Sequence, residues 1–148
     1  MATLFTRIID GEIPGRFVWA DDRVVSFTTI APIADGHALV VPRAEVAQFT
    51  AAPDDLLAHL VAVAKVIGLA QQAAWAAPRA ALLVAGFEVP HLHLHVLPAW
   101  GEANLSFANA RPDTPAEQLD AAAERLRGAL RDAGHAGHVP ASLGSPAL

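Results

Sequence analysis

The segment from His91 to Leu97 alternates histidine with aliphatic residues and contains three of the seven histidines in the chain. Alternation with a period of two is typical of a half-buried β-strand, whose aliphatic side chains face a core while the imidazoles share the opposite face. At a rise of roughly 3.3 Å per residue, neighbouring histidines would lie about 6–7 Å apart and the outer two about 13 Å apart. The sequence therefore predicts one strand that presents a row of three imidazoles.

Imidazoles at this spacing suit chemistry on a phosphate group. Neutral imidazole is a nucleophile near pH 7 and imidazolium is a donor, so one histidine can attack phosphorus while the next contacts a phosphoryl or leaving-group oxygen. A zinc site is less favourable, because Zn–N bonds of about 2.0–2.1 Å require converging ligands and a straight strand spreads its side chains. Two of the three histidines could bind zinc with a distant carboxylate or His59 as third ligand. A solvated, histidine-rich strand face is the remaining alternative.

The sequence around the histidines predicts an alternation of strands and helices. Strands are predicted at residues 17–19, 24–27, 37–41, 80–85 and 91–97, with the apolar run 80–85 as a central strand. The polar turn Asp21-Asp22-Arg23 has the length of a hairpin connection between the first two strands. This order predicts an α+β domain with a roughly five-stranded antiparallel sheet.

Two helices are predicted, one main and one C-terminal. Proline and two aspartates at residues 53–55 suit a first helical turn, and apolar residues then recur at helical spacing through 54–74. A capping box at Thr114-Pro115-Ala116-Glu117 predicts a second helix over about 115–133, which ends near Gly134. The small, aperiodic residues 135–148 predict a flexible tail in which His135 and His138 are solvated.

Composition narrows the class of protein. The 148 residues suit a single domain, and the absence of cysteine excludes disulfides and any cysteine-based zinc site. Ten Lys and Arg residues in a chain of net charge −5 form no basic stripe, which argues against nucleic-acid binding. Charged and polar residues interrupt the long apolar stretches, and Arg7 and Asp10 fall where a signal peptide needs an apolar region, so we expect a cytoplasmic protein with no membrane partner.

Four segments of the chain occur together, in this order, in one known family. They are Phe5 with residues 8–14, Ile30-Ala31-Pro32 with residues 36–43, residues 86–90, and the histidine run 91–97. On these segments the chain resembles the histidine triad (HIT) family, as a divergent member of bacterial type, over roughly residues 4–110. The resemblance implies a HIT-like domain over residues 1–134 and a homodimer with helix 54–74 at its interface.

The resemblance also implies roles for the histidines. His93 corresponds to the nucleophile that attacks the α-phosphorus and forms a nucleotidyl-histidine intermediate, which water then hydrolyses. His95 corresponds to the histidine that contacts phosphate and leaving-group oxygens, and His91 to an orienting residue. The family pattern gives His37 a buried, hydrogen-bonded structural role.

The substrate site implied by the resemblance departs from the family pattern. It comprises Phe5, Ile13, Phe27, Thr29, Ile30, Phe87 and Glu88. Phe5, Ile13, Phe27 and Ile30 match positions that enclose the nucleoside base, although aromatic residues in strands are also typical of a core. Thr29 replaces an aspartate that binds the ribose hydroxyls, Phe87 replaces a glutamine that contacts phosphate, and Glu45 replaces a frequent histidine. The asparagine usual ahead of the triad is missing.

The resemblance thus implies a hydrolase that cleaves a nucleoside 5′-phosphate linkage of phosphoramidate or acyl-adenylate type. No cofactor is expected, and the spread of the imidazoles along the strand, with no cysteine as a soft ligand, predicts activity without a metal. Two alternatives stay open. One is hydrolysis of a dinucleoside polyphosphate, and the other is a nucleotide-binding or sensing protein with little turnover.

Overall fold

The computed structural model describes all 148 residues, as a five-stranded antiparallel sheet with helices on both faces. The strands are β1 (Phe17–Ala20), β2 (Val24–Thr28), β3 (Ala38–Pro42), β4 (Arg79–Leu83) and β5 (Leu94–Ala99), in the spatial order β1-β2-β3-β5-β4. The helices are α1 (Leu4–Ile9), α2 (Asp54–Trp75) and α3 (Ala116–Leu130), joined by short 3-10 turns. This architecture confirms the predicted α+β fold with one main helix and a C-terminal helix.

Two apolar clusters cover the two faces of the sheet. On one face, α2 and α3 bury Leu60, Ile67 and Leu126 completely. On the other face, the short helix α1 contributes Phe5 and Ile8 to a smaller cluster with side chains of β1, β2 and β3. Because both faces are covered, every residue of these three strands is buried. Strand β5, which carries the end of the histidine run, pairs with β3 of this packed sheet.

Helix α2 is the main core helix. It begins at Asp54, as the sequence predicts, and ends at Trp75, where Ala76 adopts a left-handed φ of 51°. Its 22 residues and mean hydropathy of 1.5 would allow it to cross a membrane, a property that apolar core helices share. Its Leu60 and Ile67 side chains are fully buried against the sheet, so in this fold α2 behaves as a core helix.

Strand β4 lies at the edge of the sheet, so its prediction as a central strand is wrong. It pairs only with β5 and ends at Leu83, two residues earlier than predicted. Leu82 is 46% exposed and Val84 is 40% exposed. An apolar run predicts burial but does not distinguish a sheet centre from an edge with unpaired apolar side chains.

The C-terminal quarter differs from its prediction in two ways. Thr114 does not cap α3: the first residue outside the helix is Pro115, and the Thr114 hydroxyl donates to the Arg111 carbonyl instead. Residues 135–148 are not a free tail, since the buried Arg127 donates to the carbonyls of Phe17 and Pro140, each at 2.7 Å. His138, although exposed, stacks on Trp19 with ring centroids 4.4 Å apart. The sequence could not predict these contacts, because they are made mainly by backbone carbonyls, which do not depend on the type of side chain.

Candidate active site

The three histidines of the triad straddle the start of β5. The strand begins at Leu94, and the backbone N–H of Leu92 donates to the Val46 carbonyl at 2.6 Å instead of to β3. The predicted strand 91–97 is therefore wrong in its first half, because the chain bends there and buries His91. The ring centroids of His93 and His95 are 4.9 Å apart, closer than the roughly 6–7 Å expected along a straight strand.

His93 presents one free ring nitrogen. Its Nδ1 lies 2.7 Å from the His91 carbonyl oxygen, which can only accept, so Nδ1 carries a proton. In the neutral ring the lone pair is then on Nε2, the nitrogen available for attack. Burial lowers the pKa of His93 below 6.5, while the hydrogen bond to the His91 carbonyl and the charge of Glu88 oppose that shift. At neutral pH the His93 ring is thus neutral, and its Nε2 lone pair is oriented as the expected role of nucleophile requires.

His95 is oriented by His37. The backbone N–H of Ile33 donates to Nδ1 of His37 at 3.1 Å, so the proton of neutral His37 is on Nε2. That Nε2 lies 3.0 Å from Nδ1 of His95, which must accept, and His95 therefore holds its own proton on Nε2. Burial, followed by the charge of neighbouring histidines, lowers the pKa of His37 to about 3 and that of His95 to about 4. The pair presents one N–H donor beside the His93 ring.

His91 is fully buried and touches no solvent. Its Nε2 donates to the Pro42 carbonyl at 2.7 Å, and its Nδ1 lies 2.6 Å from the Thr3 hydroxyl. Neither ring nitrogen is left for a substrate. Since its backbone carbonyl holds His93, this geometry suits the orienting role expected for His91.

The residues expected to enclose a base divide into two groups. Phe5 and Phe27 are 5% and 3% exposed, and their rings pack edge to face at 5.5 Å. Phe5 also contacts the His93 ring, with centroids 4.9 Å apart. Ile13 is partly buried and Ile30 is 70% exposed. Phe5 and Phe27 therefore form the floor that supports the triad, while Ile13 and Ile30 have surface free for a ligand.

The remaining expected substrate-site residues, Thr29, Phe87 and Glu88, lie in two loops. The Thr29 backbone N–H donates to the His37 carbonyl at 3.1 Å, and its hydroxyl accepts from the Ala31 N–H at 3.2 Å. Thr29 thus belongs to the loop that carries His37. In the loop before the triad, the Phe87 side chain is 96% exposed, and the exposed Glu88 carboxylate acts electrostatically on His93.

Two residues at the site were not predicted to belong to it. His37 was expected to be buried and hydrogen-bonded, which the structure confirms, but its partner is His95 of the triad. Phe107 packs its ring against His95, with centroids 4.9 Å apart, and stays 48% exposed. The Gly-His segment gave a signal for His37. Nothing local marks Phe107, because its contact depends on the path of the chain after β5.

The metal alternative lacks a set of ligands. No group of three His, Cys, Asp or Glu residues lies close enough to hold an ion. His59, the third ligand considered above, contacts Asp21 at 2.8 Å instead. Both ring nitrogens of His91, Nδ1 of His93 and Nδ1 of His95 already have hydrogen-bond partners, and Nε2 of His95 carries a proton. Nε2 of His93 is therefore the one free lone pair of the triad.

The lowered pKa of His93 predicts how activity depends on pH. Attack requires the neutral ring, and burial extends the neutral form to lower pH. We therefore expect kcat/KM of a cleaved nucleotide substrate to fall in acid with a midpoint below 6.5. A midpoint above 6.5 would contradict this arrangement. Unfolding must be followed in parallel. Because the pKa of His37 is about 3 in the folded state and near 6.5 in the unfolded chain, the unfolded state binds a proton more readily, and the folded state becomes less stable as pH falls below about 6.5.

Comparison with known proteins agrees with the geometry. A family model described as the HIT domain matches residues 10–101. An uncharacterised HIT-like protein of Saccharolobus solfataricus is 34% identical over 104 residues, which cover 67% of this chain and 75% of the relative.

Solved structures share the fold across most of the chain. A zinc-bound histidine triad family protein from Mycobacterium smegmatis superposes with a TM-score of 0.78 at 26% identity, covering 92% of this chain and 98% of the other. A hypothetical histidine triad nucleotide-binding protein from Sulfolobus tokodaii gives 0.76 at 28%, over 86% and 91% of the two chains. A HIT family hydrolase from Legionella pneumophila gives 0.57 at 35%, over 65% and 91%. The sequence motifs, the fold and these matches together show that the chain belongs to the HIT family.

Proposed function

We propose that this protein is a HIT-type hydrolase that cleaves a nucleoside 5′-phosphate linkage through a covalent intermediate on His93. The observation that carries the proposal is the pair of oriented nitrogens. The His91 carbonyl leaves Nε2 of His93 free to attack, and His37 leaves the Nε2–H of His95 free to donate. The similarity to a nucleotide-binding relative and to a hydrolase relative supports this assignment.

The proposed reaction has two steps. First, Nε2 of His93 forms a bond to the α-phosphorus, and the bond from phosphorus to the leaving group breaks. His95, which takes up a proton because the bound phosphate is negatively charged, donates its Nε2 proton to the leaving group and becomes neutral. Second, water attacks phosphorus and gives a proton to Nε2 of the neutral His95, the P–N bond to His93 breaks, and a nucleoside monophosphate is released.

The surroundings of the site favour an amine or acyl leaving group. The exposed ring of Phe107 packs against His95, and the exposed ring of Phe87 belongs to the loop that leads into the triad. The Glu88 carboxylate, whose field reaches His93, would repel a second charged nucleotide. We therefore propose phosphoramidates and acyl-adenylates, rather than dinucleoside polyphosphates, as the substrate class. Steady release of a nucleoside monophosphate tests whether the protein is a hydrolase. A nucleotide-binding or sensing protein would bind nucleotide without such release.

Substitution of Thr29 by aspartate tests the ribose contact. A carboxylate offers two acceptors to the ribose hydroxyls where Thr29 offers one weaker hydroxyl, so Thr29→Asp should tighten binding of adenosine monophosphate by about two- to tenfold. Calorimetry measures the change, with Thr29→Val as the matched control that removes the hydroxyl. Equal affinity of Thr29→Asp and the wild type would show that the ribose does not reach this loop.

We also propose that the protein is a homodimer. A groove of about 260 Å³ lies between α2 and β4, and Val61, Leu69 and Leu82 on its walls are 43%, 57% and 46% exposed. The free edge of β4 adds unpaired backbone groups to this apolar surface. Light scattering should give twice the mass of the chain for the wild type, and the monomer mass for Leu69→Asp. Leu4→Gln, an exposed leucine on α1, is the control that should stay dimeric. A monomeric wild type at micromolar concentration would reject the dimer.

A further inference from the structure

Glu45 lies just after β3, at the position where the family often has a histidine, and it contacts the start of α1. Its Oε1 accepts a hydrogen bond from the Thr3 backbone N–H at 2.9 Å and another from the Thr6 hydroxyl at 2.7 Å. These two donors hold the pKa of the Glu45 carboxyl below its ordinary value. Glu45 is therefore a carboxylate at neutral pH that ties the N-terminal helix to the loop after β3.

From Thr6 the contacts continue to the triad. The Thr3 hydroxyl lies 3.2 Å from the Thr6 hydroxyl and 2.6 Å from Nδ1 of His91. Because the Glu45 carboxylate can only accept, the Thr6 hydroxyl is directed toward it. Because Nε2 of His91 donates to the Pro42 carbonyl, the lone pair of the ring is placed on Nδ1, and the Thr3 hydroxyl is the donor that faces it.

The N-terminal segment makes a second contact with the triad, and this one includes His93. Phe5 follows Thr3 by two residues, and its ring packs on those of His91 and His93 at 5.7 and 4.9 Å. The Val46 carbonyl, next to Glu45, accepts from the Leu92 N–H between these two histidines. The segment 45–46 and the start of α1 thus enclose the turn that orients His93.

We propose that Glu45 is a positioning residue for the triad: it anchors Thr3 and Thr6, and the anchored Thr3 hydroxyl holds the His91 ring, whose backbone carbonyl orients His93. Glu45 does not touch the reacting atoms. It acts through two threonines and one histidine, and its loss should disturb the orientation of His93 more than the binding of nucleotide. The kinetic part of this inference rests on the proposed hydrolase function, whereas the structural part does not.

The test compares Glu45→Ala and Glu45→Gln with Glu12→Ala in the full-length protein. Glu12 is a matched control, because its carboxylate also binds α1, through Arg7 at 3.0 Å, but has no contact with the triad. With adenosine 5′-phosphoramidate as substrate, Glu45→Ala should lower kcat by about tenfold or more with KM within about twofold, since small misplacements of a reacting group have effects of this size. Glu45→Gln should be milder, because its amide oxygen still accepts hydrogen bonds. Glu12→Ala should match the wild type.

A second measurement needs no activity. The ring Nδ1–H proton of His93, hydrogen-bonded to the His91 carbonyl, should give a protected NMR signal in the wild type and in Glu12→Ala. It should exchange faster in Glu45→Ala and in Thr3→Val, and Thr3→Ser should restore it. The proposal is overturned if this signal is unchanged in Glu45→Ala and Thr3→Val, even where both lose stability. An inactive wild type with the expected NMR changes would reject the proposed function and leave the positioning role standing.

Discussion

Replacing His93 with alanine should lower the turnover of adenosine 5′-phosphoramidate by at least about a thousandfold, because the variant lacks the only nitrogen oriented to bond phosphorus. The fold should survive. Leu92 and Leu94, the residues on either side of His93, are 1% and 0% exposed and carry the packing of this segment. Steady-state kinetics, together with thermal unfolding of the same preparation, measures both effects.

A matched control for this variant is His138→Ala. His138 lies near the C-terminus, where it stacks on Trp19, and it has no contact with the triad. Its replacement should leave kcat/KM within about twofold of the wild type, as expected of a substitution outside the site. Turnover in His93→Ala that equals that of the wild type would end the covalent mechanism for this protein.

Replacing His95 with alanine should have an effect that depends on the leaving group. An amine leaves poorly without a proton, and general acid catalysis contributes typically 10²–10⁴-fold, so we expect a loss of about a hundredfold or more with a phosphoramidate. The carboxylate released from an acyl-adenylate needs no proton, and there the loss should stay below about tenfold. Measuring kcat/KM for both substrates with the wild type and His95→Ala gives the comparison. An equal loss with both would show that His95 does not act on the leaving group.

His37 should influence catalysis only through His95. His37→Ala removes the Nε2–H donor that fixes the His95 tautomer, so its loss of activity should follow the same dependence on the leaving group as that of His95→Ala. Because the two side chains share one hydrogen bond, the double variant should lose less than the product of the two single losses.

The order of strands and helices was predictable, because the spacing of apolar residues that defines each element lies within that element's own sequence. The five strands and the two longer helices follow from periodicity and from turn residues, and the bounds of α2 agree within a residue of those predicted. The place of β4 at the edge did not follow, because apolar residues at a free edge and in a sheet centre have the same pattern.

The triad was predictable as a set of residues but not as a geometry. Period-two spacing predicts three imidazoles on one face, yet His91 is withdrawn by contacts to Pro42 and Thr3, which lie 49 and 88 residues away in the sequence. The same limit applies to His37, whose pairing with His95 joins residues 58 apart. Hydrogen bonds between distant segments leave no local pattern, so the orientation of each nitrogen required the folded chain.

The central claim is the covalent bond between phosphorus and Nε2 of His93, and intact-protein mass spectrometry tests it most directly. After rapid mixing with adenosine 5′-phosphoramidate and quenching in alkali, the wild type should gain the mass of one adenylyl group. Peptide mapping should locate that group on His93, and His93→Ala should gain none. Release of monophosphate without any adduct at any mixing time, or an adduct that persists in His93→Ala, would contradict the mechanism.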